Sequence, residues 1–291
     1  EEFLFISINS REIYFIMNKK IKSLLIMPTR SHRLASKAIK SFKEVNRNQD
    51  YPFDICVVNH TYENLGEAYI IKSLFQKQDN ILYEEFDEPF NHSKIMNRMF
   101  DKYVYQNVHN EYNYDMIIMF NDDIECLSIE PCEKAWNILK DNPQIGVLGT
   151  LLLFPNGDIQ HFGITTIKDG TAEHINMGRS LDFIDNFSDL HYFQAVTFAF
   201  TYIRPEIYSK YRLEEELFPV ECNDVDFCLR VGKEYEIVCT KEIIAYHLCA
   251  FTRKKLGLIS VKQDVLNFKK RYKEICDKSP TYEMTLKMRI V

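Results

Sequence analysis

The sequence lacks any long hydrophobic run, and this absence limits the class of protein. No apolar stretch approaches the roughly 18 residues that a membrane-spanning helix needs. The stretch from Phe3 to Met17 is interrupted by Arg11 and Glu12, and it has no small-residue cleavage site of the kind that ends a signal peptide. These observations predict a soluble, cytoplasmic protein without a transmembrane segment.

Two charge and cysteine patterns are also missing. No basic stripe stands out among the 36 Lys and Arg residues, and the net charge is -6, which argues against nucleic acid as a partner. The eight cysteines form no CxxC pair and no zinc-type spacing. Several of them fall in apolar, strand-like runs, so we expect buried free thiols, as in a reducing compartment.

Linkers rich in Pro, Gly and Ser are absent, as are internal repeats. With 46% hydrophobic residues, the 291-residue chain can bury one sizeable core, and this favours a single large α/β domain. Met17, followed by Asn-Lys-Lys, resembles a natural start. We therefore interpret residues 1–16 as an N-terminal extension and residues 17–291 as the domain.

Strand-like and helix-like segments alternate in the first half of the chain. Ile21–Met27 predicts a buried strand, and the apolar spacing in His32–Val45 predicts a helix. Asp54–Asn59 and Ile81–Tyr83 predict two more strands, each followed by a helix. The alternation predicts a single Rossmann-like, mainly parallel sheet flanked by helices.

The second half predicts a hairpin, a long loop, further strands and two helices. The predicted elements are a strand at Gly146–Phe154 with a turn at Pro155–Asp158, a loop at Ile167–Leu190, a strand at Gln194–Ile203, a helix at Glu221–Gly232, strands at Tyr235–Cys239 and Ile243–His247, and a helix at Val261–Ile275.

The most informative stretch lies between Tyr114 and Glu125. Its five apolar residues, Met116–Phe120, predict a strand buried on both faces that ends in Asn121, Asp122 and Asp123. Ligands bind beyond the carboxyl ends of the strands in such sheets, and oxygen ligands suit Mg²⁺ or Mn²⁺. A metal site and a solvated acidic turn are both compatible with this stretch alone.

Over roughly Lys22–Tyr282, the sequence resembles the family 2 inverting glycosyltransferases of the GT-A fold. Asn121-Asp122-Asp123 looks like the acidic DXD motif of that family, with Asn at its first position. The other matching segments are Phe90–Ser93 with Asn97, Phe154–Gln160 with Gly163, Phe218–Arg230, and Tyr246-His247 with Arg253. Asp277–Tyr282 is similar to the tail of rhamnosyltransferase-like members.

The resemblance implies transfer of a sugar from a UDP- or dTDP-linked donor to a hydroxyl of a glycan or glycoconjugate. It implies Mn²⁺ or Mg²⁺ held by Asp123, Asn121 and His247, and Asp224 as the general base. Asp226 and Glu221 are the next candidates for the base. The implied donor-binding half covers about residues 17–125, the acceptor-binding half about 126–260, and a C-terminal helix covers 261–276.

The resemblance also places a set of side chains around the nucleotide and its diphosphate. These residues are Pro28, Thr29, Arg30, Asn59, Glu63, Ser93, Asn97, Asp122 and Arg253. Each type has a structural alternative: Ser and Asn cap helices, while an Arg at a helix start or in a basic run is commonly solvated. A lone His, such as His247, more often packs than binds metal.

Two other functional classes remain open at this point. A nucleotidyltransferase that makes nucleotide sugars would need a Gly-rich phosphate loop after the first strand, where Pro28-Thr29-Arg30 stands instead. A non-catalytic carbohydrate-binding relative would be expected to lose the acidic pair or the base, yet Asp123 and Asp224 are both present.

Overall fold

The computed structural model describes residues 20–106, 111–185, 187–248, 262–281 and 284. The helices in this part of the chain are α1 His32–Val45, α2 Leu65–Phe75, α3 His92–Met99, α4 Pro131–Asp141, α5 Pro205–Tyr211, α6 Asn223–Val231, α7 Lys262–Arg271 and α8 Lys273–Asp277. A π-helical turn, Phe100–Val104, follows α3, and a 3-10 turn spans Leu181–Ile184.

The strands alternate with these helices in the first half and cluster in the second. They are β1 Ser23–Thr29, β2 Phe53–His60, β3 Ile81–Phe86, β4 Tyr105–Gln106, β5 Glu111–Tyr112, β6 Met116–Phe120, β7 Ile124–Cys126, β8 Ile145–Leu153, β9 Ile159–His161, β10 Ile164–Thr166, β11 Ala172–His174, β12 Leu190–Tyr192, β13 Phe200–Ile203 and β14 Glu236–His247.

Ten of these strands form the central sheet, which confirms the predicted α/β class. Its order is β12-β14-β8-β13-β6-β1-β2-β3, with β7 paired to β14 and β9 to β8. The half from β6 to β3 is parallel, as predicted. The other half is mixed, because β13 runs antiparallel to both of its neighbours while β14 runs parallel to β8.

The central strands are buried on both faces because helices cover the sheet on each side. All five residues of β6 are buried, and their side chains alternate between two cores: Ile117 and Met119 belong to one, and Met116, Ile118 and Phe120 to the other. Phe42 of α1 packs edge-on against Phe120, with ring centroids 5.4 Å apart. An uninterrupted apolar run was therefore the correct signal for this strand.

Several predicted boundaries need correction. The predicted strand Gln194–Ile203 is a strand only over β13, because its first half is irregular and carries a single bridge between Ala195 and Ile164. The two strands expected near the C-terminal end are one strand, β14, with a register shift between Thr240 and Ile244. The helix expected over Val261–Ile275 is broken into α7 and α8.

The loop expected over residues 167–190 contains the short strand β11 and the 3-10 turn. The hairpin between β8 and β9 has the predicted turn, with Gly157 at a φ of 91°. The seven cysteines within the described ranges are free thiols, as expected. No helix in those ranges is long and apolar enough to span a bilayer.

Candidate active site

The strand order reverses at β1, which pairs with β2 on one side and with β6 on the other. A reversal of this kind opens a crevice at the carboxyl edge of a parallel sheet. Thr29 ends β1 there, and its hydroxyl donates a 2.6 Å hydrogen bond to the carboxylate of Asp122, which follows β6. The structure therefore brings together two residues that lie 93 positions apart in the sequence.

Within the acidic motif, the three residues have different surroundings. Burial is the main cause that raises the pKa of Asp122 to about 7; the neighbouring Asp123 carboxylate adds to the rise, and the hydrogen bond from Thr29 opposes it. The backbone N–H of Asn121 donates to the carbonyl of Ala199, while its side chain is partly exposed. Hydrogen bonds to β1 and to the residue before β13 thus hold the motif at a corner of the sheet.

Asp123 and His247 form the closest pair of metal-type ligands in this corner. Oδ1 of Asp123 lies 3.2 Å from Nε2 of His247, and both residues are buried. Pairing of β14 with β7 sets His247 opposite Ile124, and the N–H of Leu248 donates to the Asp123 carbonyl at 3.1 Å. The backbone of Asp123 is therefore fixed by its contact with the end of β14.

Gln160 determines which tautomer a neutral His247 adopts. Nδ1 of His247 lies 3.1 Å from Oε1 of Gln160, an atom that only accepts hydrogen bonds, so Nδ1 carries the proton. Nε2 is then the atom with a free lone pair, and it faces Asp123. An imidazole oriented through its other nitrogen is the usual arrangement of a histidine that binds metal.

The described residues fit a divalent cation. Oδ1 of Asp123 is buried and has no hydrogen-bond partner, which is costly for a carboxylate oxygen unless a cation lies against it. Among the described residues, no group of three or more His, Cys, Asp or Glu side chains converges on one point. Two protein ligands leave most coordination positions open, which suits a metal shared with substrate phosphates.

Asp224 lies at the first turn of α6, on the other side of the corner. Its Oδ1 accepts a 2.8 Å hydrogen bond from the N–H of Val225. Burial raises the pKa of Asp224, and hydrogen bonds from Val225, from the backbone of Phe198 and from the side chain of Thr197 offset part of that rise. A half-buried carboxylate with a raised pKa is a better proton acceptor than a solvated one.

Asp226 lies two residues further along α6, and the structure gives it a different role. It is 0% exposed and accepts from Nε of Arg230 at 2.9 Å and from the hydroxyl of Tyr272 at 2.7 Å. The guanidinium of Arg271 lies 3.4 Å from Oδ1 of Asp226, the same oxygen that accepts from Tyr272. Asp226 therefore ties α6 to α7.

Because Asp226 is a buried ion-pair partner, we expect Asp226→Ala to lower the free energy of unfolding by about 3 to 5 kcal/mol. The loss reflects Arg230 left without its carboxylate. Asp277→Ala is the matched control, since Asp277 is 54% exposed and pairs only with Lys273, and it should cost less than about 1 kcal/mol. Urea denaturation of both variants checks this. Equal losses would contradict the structural role of Asp226.

Two residues predicted near the diphosphate, Ser93 and Asn97, have hydrogen-bond partners inside the fold. Both are buried on α3. The Ser93 hydroxyl donates to the carbonyl of Phe218 at 2.6 Å, and the Asn97 amide donates to the carbonyl of Leu213 and accepts from the hydroxyl of Tyr208, at 2.9 and 2.8 Å. Their hydrogen-bonding groups are used in joining α3 to the chain before α6.

Asn59, predicted to bind the nucleotide, lies inside the fold at the end of β2. It is 0% exposed, and its amide donates to the carbonyl of Ala68 and the hydroxyl of Tyr83. These bonds join β2 to α2 and β3. Its side-chain oxygen is buried without a hydrogen-bond partner among the described residues.

The remaining donor-side predictions lie at the carboxyl ends of β1 and β2. Pro28 is half-buried and precedes Thr29, and Glu63 is exposed in a left-handed conformation with a φ of 52°. Nη2 of Arg30 donates to the Glu63 carbonyl at 3.2 Å. Burial lowers the pKa of Arg30, and the Glu63 carboxylate opposes that shift. Arg253 lies outside the described residues.

Sequence reasoning missed four polar residues that support the site residues through hydrogen bonds. His60 accepts from Nη1 of Arg30 and donates to the Glu88 carbonyl, so it fixes Arg30 in place. The other three are Gln160, His161 and Thr197. Gln160 lies in a segment that carries the family resemblance. Its place in the predicted hairpin, on a strand paired with the end of β8, could have indicated that it lies near the site.

No protein-family model matches the chain. One relative is the uncharacterized protein y4gI of Sinorhizobium fredii, 28% identical over 138 residues, which are 46% of this chain and 15% of that protein. Another is the O-antigen biosynthesis protein RfbC of Myxococcus xanthus, 24% identical over 167 residues, which are 56% of this chain and 12% of that protein. The matched segments are thus small parts of these relatives.

Solved structures show the same fold. GalNAc-T7 with UDP, GalNAc and Mn²⁺ aligns with a TM-score of 0.58 at 9% identity, covering 92% of this chain and 56% of that one. TarS of S. aureus aligns with a TM-score of 0.53 at 12% identity, covering 79% and 37%. Both are GT-A glycosyltransferases, and the chain has the GT-A fold that they share.

Proposed function

We propose that this chain is an inverting glycosyltransferase, with family 2 and its rhamnosyltransferase-like members as the nearest type. It moves a sugar from a UDP- or dTDP-linked donor to a hydroxyl of a glycan or glycoconjugate. The observation that carries the proposal is the buried pair of Asp123 and His247 at the carboxyl edge of the sheet, 3.2 Å apart. The crystals of GalNAc-T7 with UDP and Mn²⁺, and the name of RfbC as an O-antigen biosynthesis protein, support the coarser part of the proposal, glycosyl transfer.

On the donor side, Asp123 and His247 would hold Mn²⁺ or Mg²⁺, with Asn121 at the same turn as a further oxygen ligand. When bound, the cation stabilises the charge that develops on the leaving diphosphate. Thr29 keeps the Asp122 carboxylate turned toward β1, and Pro28, Arg30 and Glu63 line the adjoining edge where the nucleotide is placed. These residues bind and orient the donor.

On the acceptor side, Asp224 takes the proton from the attacking hydroxyl. The new bond forms between the acceptor oxygen and the anomeric carbon as the bond to the diphosphate breaks, so the configuration at that carbon inverts. The half-buried position of Asp224 favours this role, since burial raises its pKa toward the working pH. Burial of Asp226 in its ion pairs leaves Asp224 as the available carboxylate on α6.

The nucleotidyltransferase alternative has less support. β1 ends in Pro28-Thr29-Arg30-Ser31, and Ser31 starts α1 as its N-cap by accepting from the N–H of Leu34. That turn offers no Gly-rich cradle for a triphosphate. Only an assay of sugar transfer distinguishes the proposed enzyme from the alternative of a non-catalytic carbohydrate-binding relative.

A binding screen tests the proposed donor class. We expect UDP or dTDP with Mn²⁺ to raise the melting temperature, because a ligand that binds only the folded state stabilises it, and we expect excess chelator to remove the effect. Nucleoside triphosphates and free sugars serve as comparison ligands. Stabilisation by UDP that survives chelation would remove the metal from the proposal.

His247→Ala should weaken Mn²⁺-supported binding of UDP or dTDP by at least about 10-fold, because it removes one of two protein ligands. His191→Ala is the control, since His191 is a less buried imidazole that packs against Phe187, with ring centroids 4.7 Å apart. Titration calorimetry on both variants gives the affinities. If the two substitutions lower the melting temperature alike and leave the affinity unchanged, His247 is only structural.

A further inference from the structure

A chain of polar contacts leads inward from Asp224 to two histidines that the proposed mechanism does not use. The side chain of Thr197 hydrogen-bonds to the Asp224 carboxylate. The backbone N–H of Thr197 donates to Nε2 of His161 at 3.4 Å. Nδ1 of His161 lies 2.9 Å from Nδ1 of His174. His161 therefore lies between the residue that holds Asp224 and a second imidazole.

These contacts determine where the protons of both rings lie. A backbone N–H can only donate, so Nε2 of His161 accepts and carries no proton. The proton of a neutral His161 is then on Nδ1, where it donates to Nδ1 of His174. His174 accepts at Nδ1, so its own proton in the neutral form is on Nε2. Each ring has one tautomer that satisfies both contacts.

His161 is also held uncharged. It is 0% exposed, and burial lowers its pKa well below the ordinary value, with smaller contributions from His174 and His247. A second proton would have to go on Nε2, where it would face the Thr197 N–H. The imidazole therefore acts as a fixed acceptor on one side and a fixed donor on the other.

The segment that His161 holds has little regular structure of its own. Residues 193–199 precede β13 and carry one isolated bridge, in which Ala195 and Ile164 exchange backbone hydrogen bonds at 2.8 and 3.2 Å. β13 begins only at Phe200. Two contacts locate the Thr197 backbone, and with it the hydroxyl that contacts Asp224: its N–H donates to His161, and its carbonyl accepts from the Thr201 hydroxyl at 2.5 Å.

We propose that His161 is a positioning residue for transfer: its Nε2 fixes Thr197, and Thr197 in turn fixes the Asp224 carboxylate toward the acceptor hydroxyl. This inference rests on the proposed function, because it takes Asp224 as the base. His174 has the supporting role of holding the His161 ring in the required orientation. Neither histidine contacts the donor in this account.

Two substitutions separate the contacts of His161. In His161→Gln, the side-chain oxygen can take the position of Nε2 and still accept from Thr197. In His161→Asn, the shorter amide can take the position of Nδ1 and still donate to His174, but it does not reach Thr197. Both variants remove the same ring from the same buried place, so each controls for the packing loss of the other.

We expect kcat to be at least about 10-fold lower in His161→Asn than in His161→Gln, with the donor KM similar in both, because a displaced base slows the reaction without weakening donor binding. The acid limb of the kcat profile should also move to higher pH in His161→Asn, since the Thr197 hydrogen bond lowers the pKa of Asp224. Equal kcat values, or a lower value in His161→Gln, would overturn the role of Thr197.

The tautomers give a readout that does not depend on activity. Imidazole ¹⁵N shifts of the wild-type protein should show His161 protonated at Nδ1 and His174 at Nε2. A proton on Nε2 of His161 would overturn the inference even if the enzyme is active. The predicted tautomers in a protein that transfers no sugar would instead refute the proposed function and leave the geometry of the contact in place.

Discussion

Asp224→Asn is expected to lower kcat by about 10²- to 10⁴-fold while the affinity for the nucleoside diphosphate stays near that of the wild type. The substitution keeps the shape of the side chain and removes its basicity. Such a pattern, a loss of kcat without a loss of ground-state binding, indicates an interaction needed only in the transition state. Steady-state kinetics with the donor identified by the binding screen measure it.

The wild-type pH profile adds an independent check on Asp224. The carboxylate is the active form, so kcat should fall as the pH drops through the pKa of this group. Since burial raises that pKa, the acid limb should lie above the value of about 4 that is usual for Asp. Asp226→Ala is the comparison variant, because Asp226 lies on the same helix but pairs with Arg230. The folded protein of this variant should show the same acid limb in its kcat profile as the wild type.

Near-normal turnover in Asp224→Asn would move the base elsewhere, with Glu221 as the next carboxylate along the chain. A loss of donor affinity together with kcat would place Asp224 in the metal or sugar site. Either result would contradict the separation of the donor side, built on β6 and β14, from the acceptor side, built on α6.

The second large effect concerns the metal. Asp123→Asn should weaken Mn²⁺-supported binding of UDP or dTDP by about 100-fold or more, because it removes the only charged ligand of the pair. Glu125→Gln is a close control: Glu125 lies two residues on, but its carboxylate pairs with Lys37 at 2.7 Å. We expect its affinity to stay within about threefold of the wild type, as for a surface ion pair.

Calorimetric titration of UDP in Mn²⁺ and in excess chelator compares these two variants. The melting temperature of Asp123→Asn should rise, since an uncharged amide removes the cost of a buried carboxylate oxygen without a hydrogen-bond partner. Unchanged affinity in Asp123→Asn would rule out Asp123 as a ligand. A similar loss in Glu125→Gln would indicate that the net negative charge of the turn, and no specific ligand, supports binding.

Local patterns in the sequence were enough to predict the parallel half of the sheet. A run such as Met116–Phe120 is both short and wholly apolar, which fits a strand buried on two faces, and its end marks the edge where Asn121, Asp122 and Asp123 stand. The predicted strand boundaries were wrong where strand pairing, rather than the local pattern of side chains, decides the structure. The register shift within β14 follows from its contact with β8, which no local pattern encodes.

For the site as well, the sequence indicated residue types but not the contacts that strand pairing creates. The closeness of Asp123 and His247 depends on strand pairing across more than a hundred residues, so only the family resemblance suggested it. Ser93 and Asn97 matched motif positions, yet their polar atoms are used inside the fold, as is the amide nitrogen of Asn59. A sequence motif reports that a residue type is needed at a place but does not distinguish a ligand contact from an internal hydrogen bond.

Gln160, His161 and Thr197 were missed for a related reason. Each acts through another residue: Gln160 orients His247, and His161 contacts Thr197, which contacts Asp224. Supporting contacts of this kind carry no characteristic spacing along the chain. They become visible only when the hairpin of β8 and β9 is placed beside the ends of β14 and the segment before β13.

The central claim, metal-assisted transfer with inversion, is tested most directly by following nucleotide-sugar cleavage with water as the acceptor by time-resolved NMR. With Mn²⁺ present, wild-type protein should release UDP or dTDP together with a free sugar whose first-formed anomer is opposite to that of the donor. Chelation, Asp123→Asn and Asp224→Asn should each suppress the release. Release of the same anomer as in the donor, or undiminished release in excess chelator, would contradict the account.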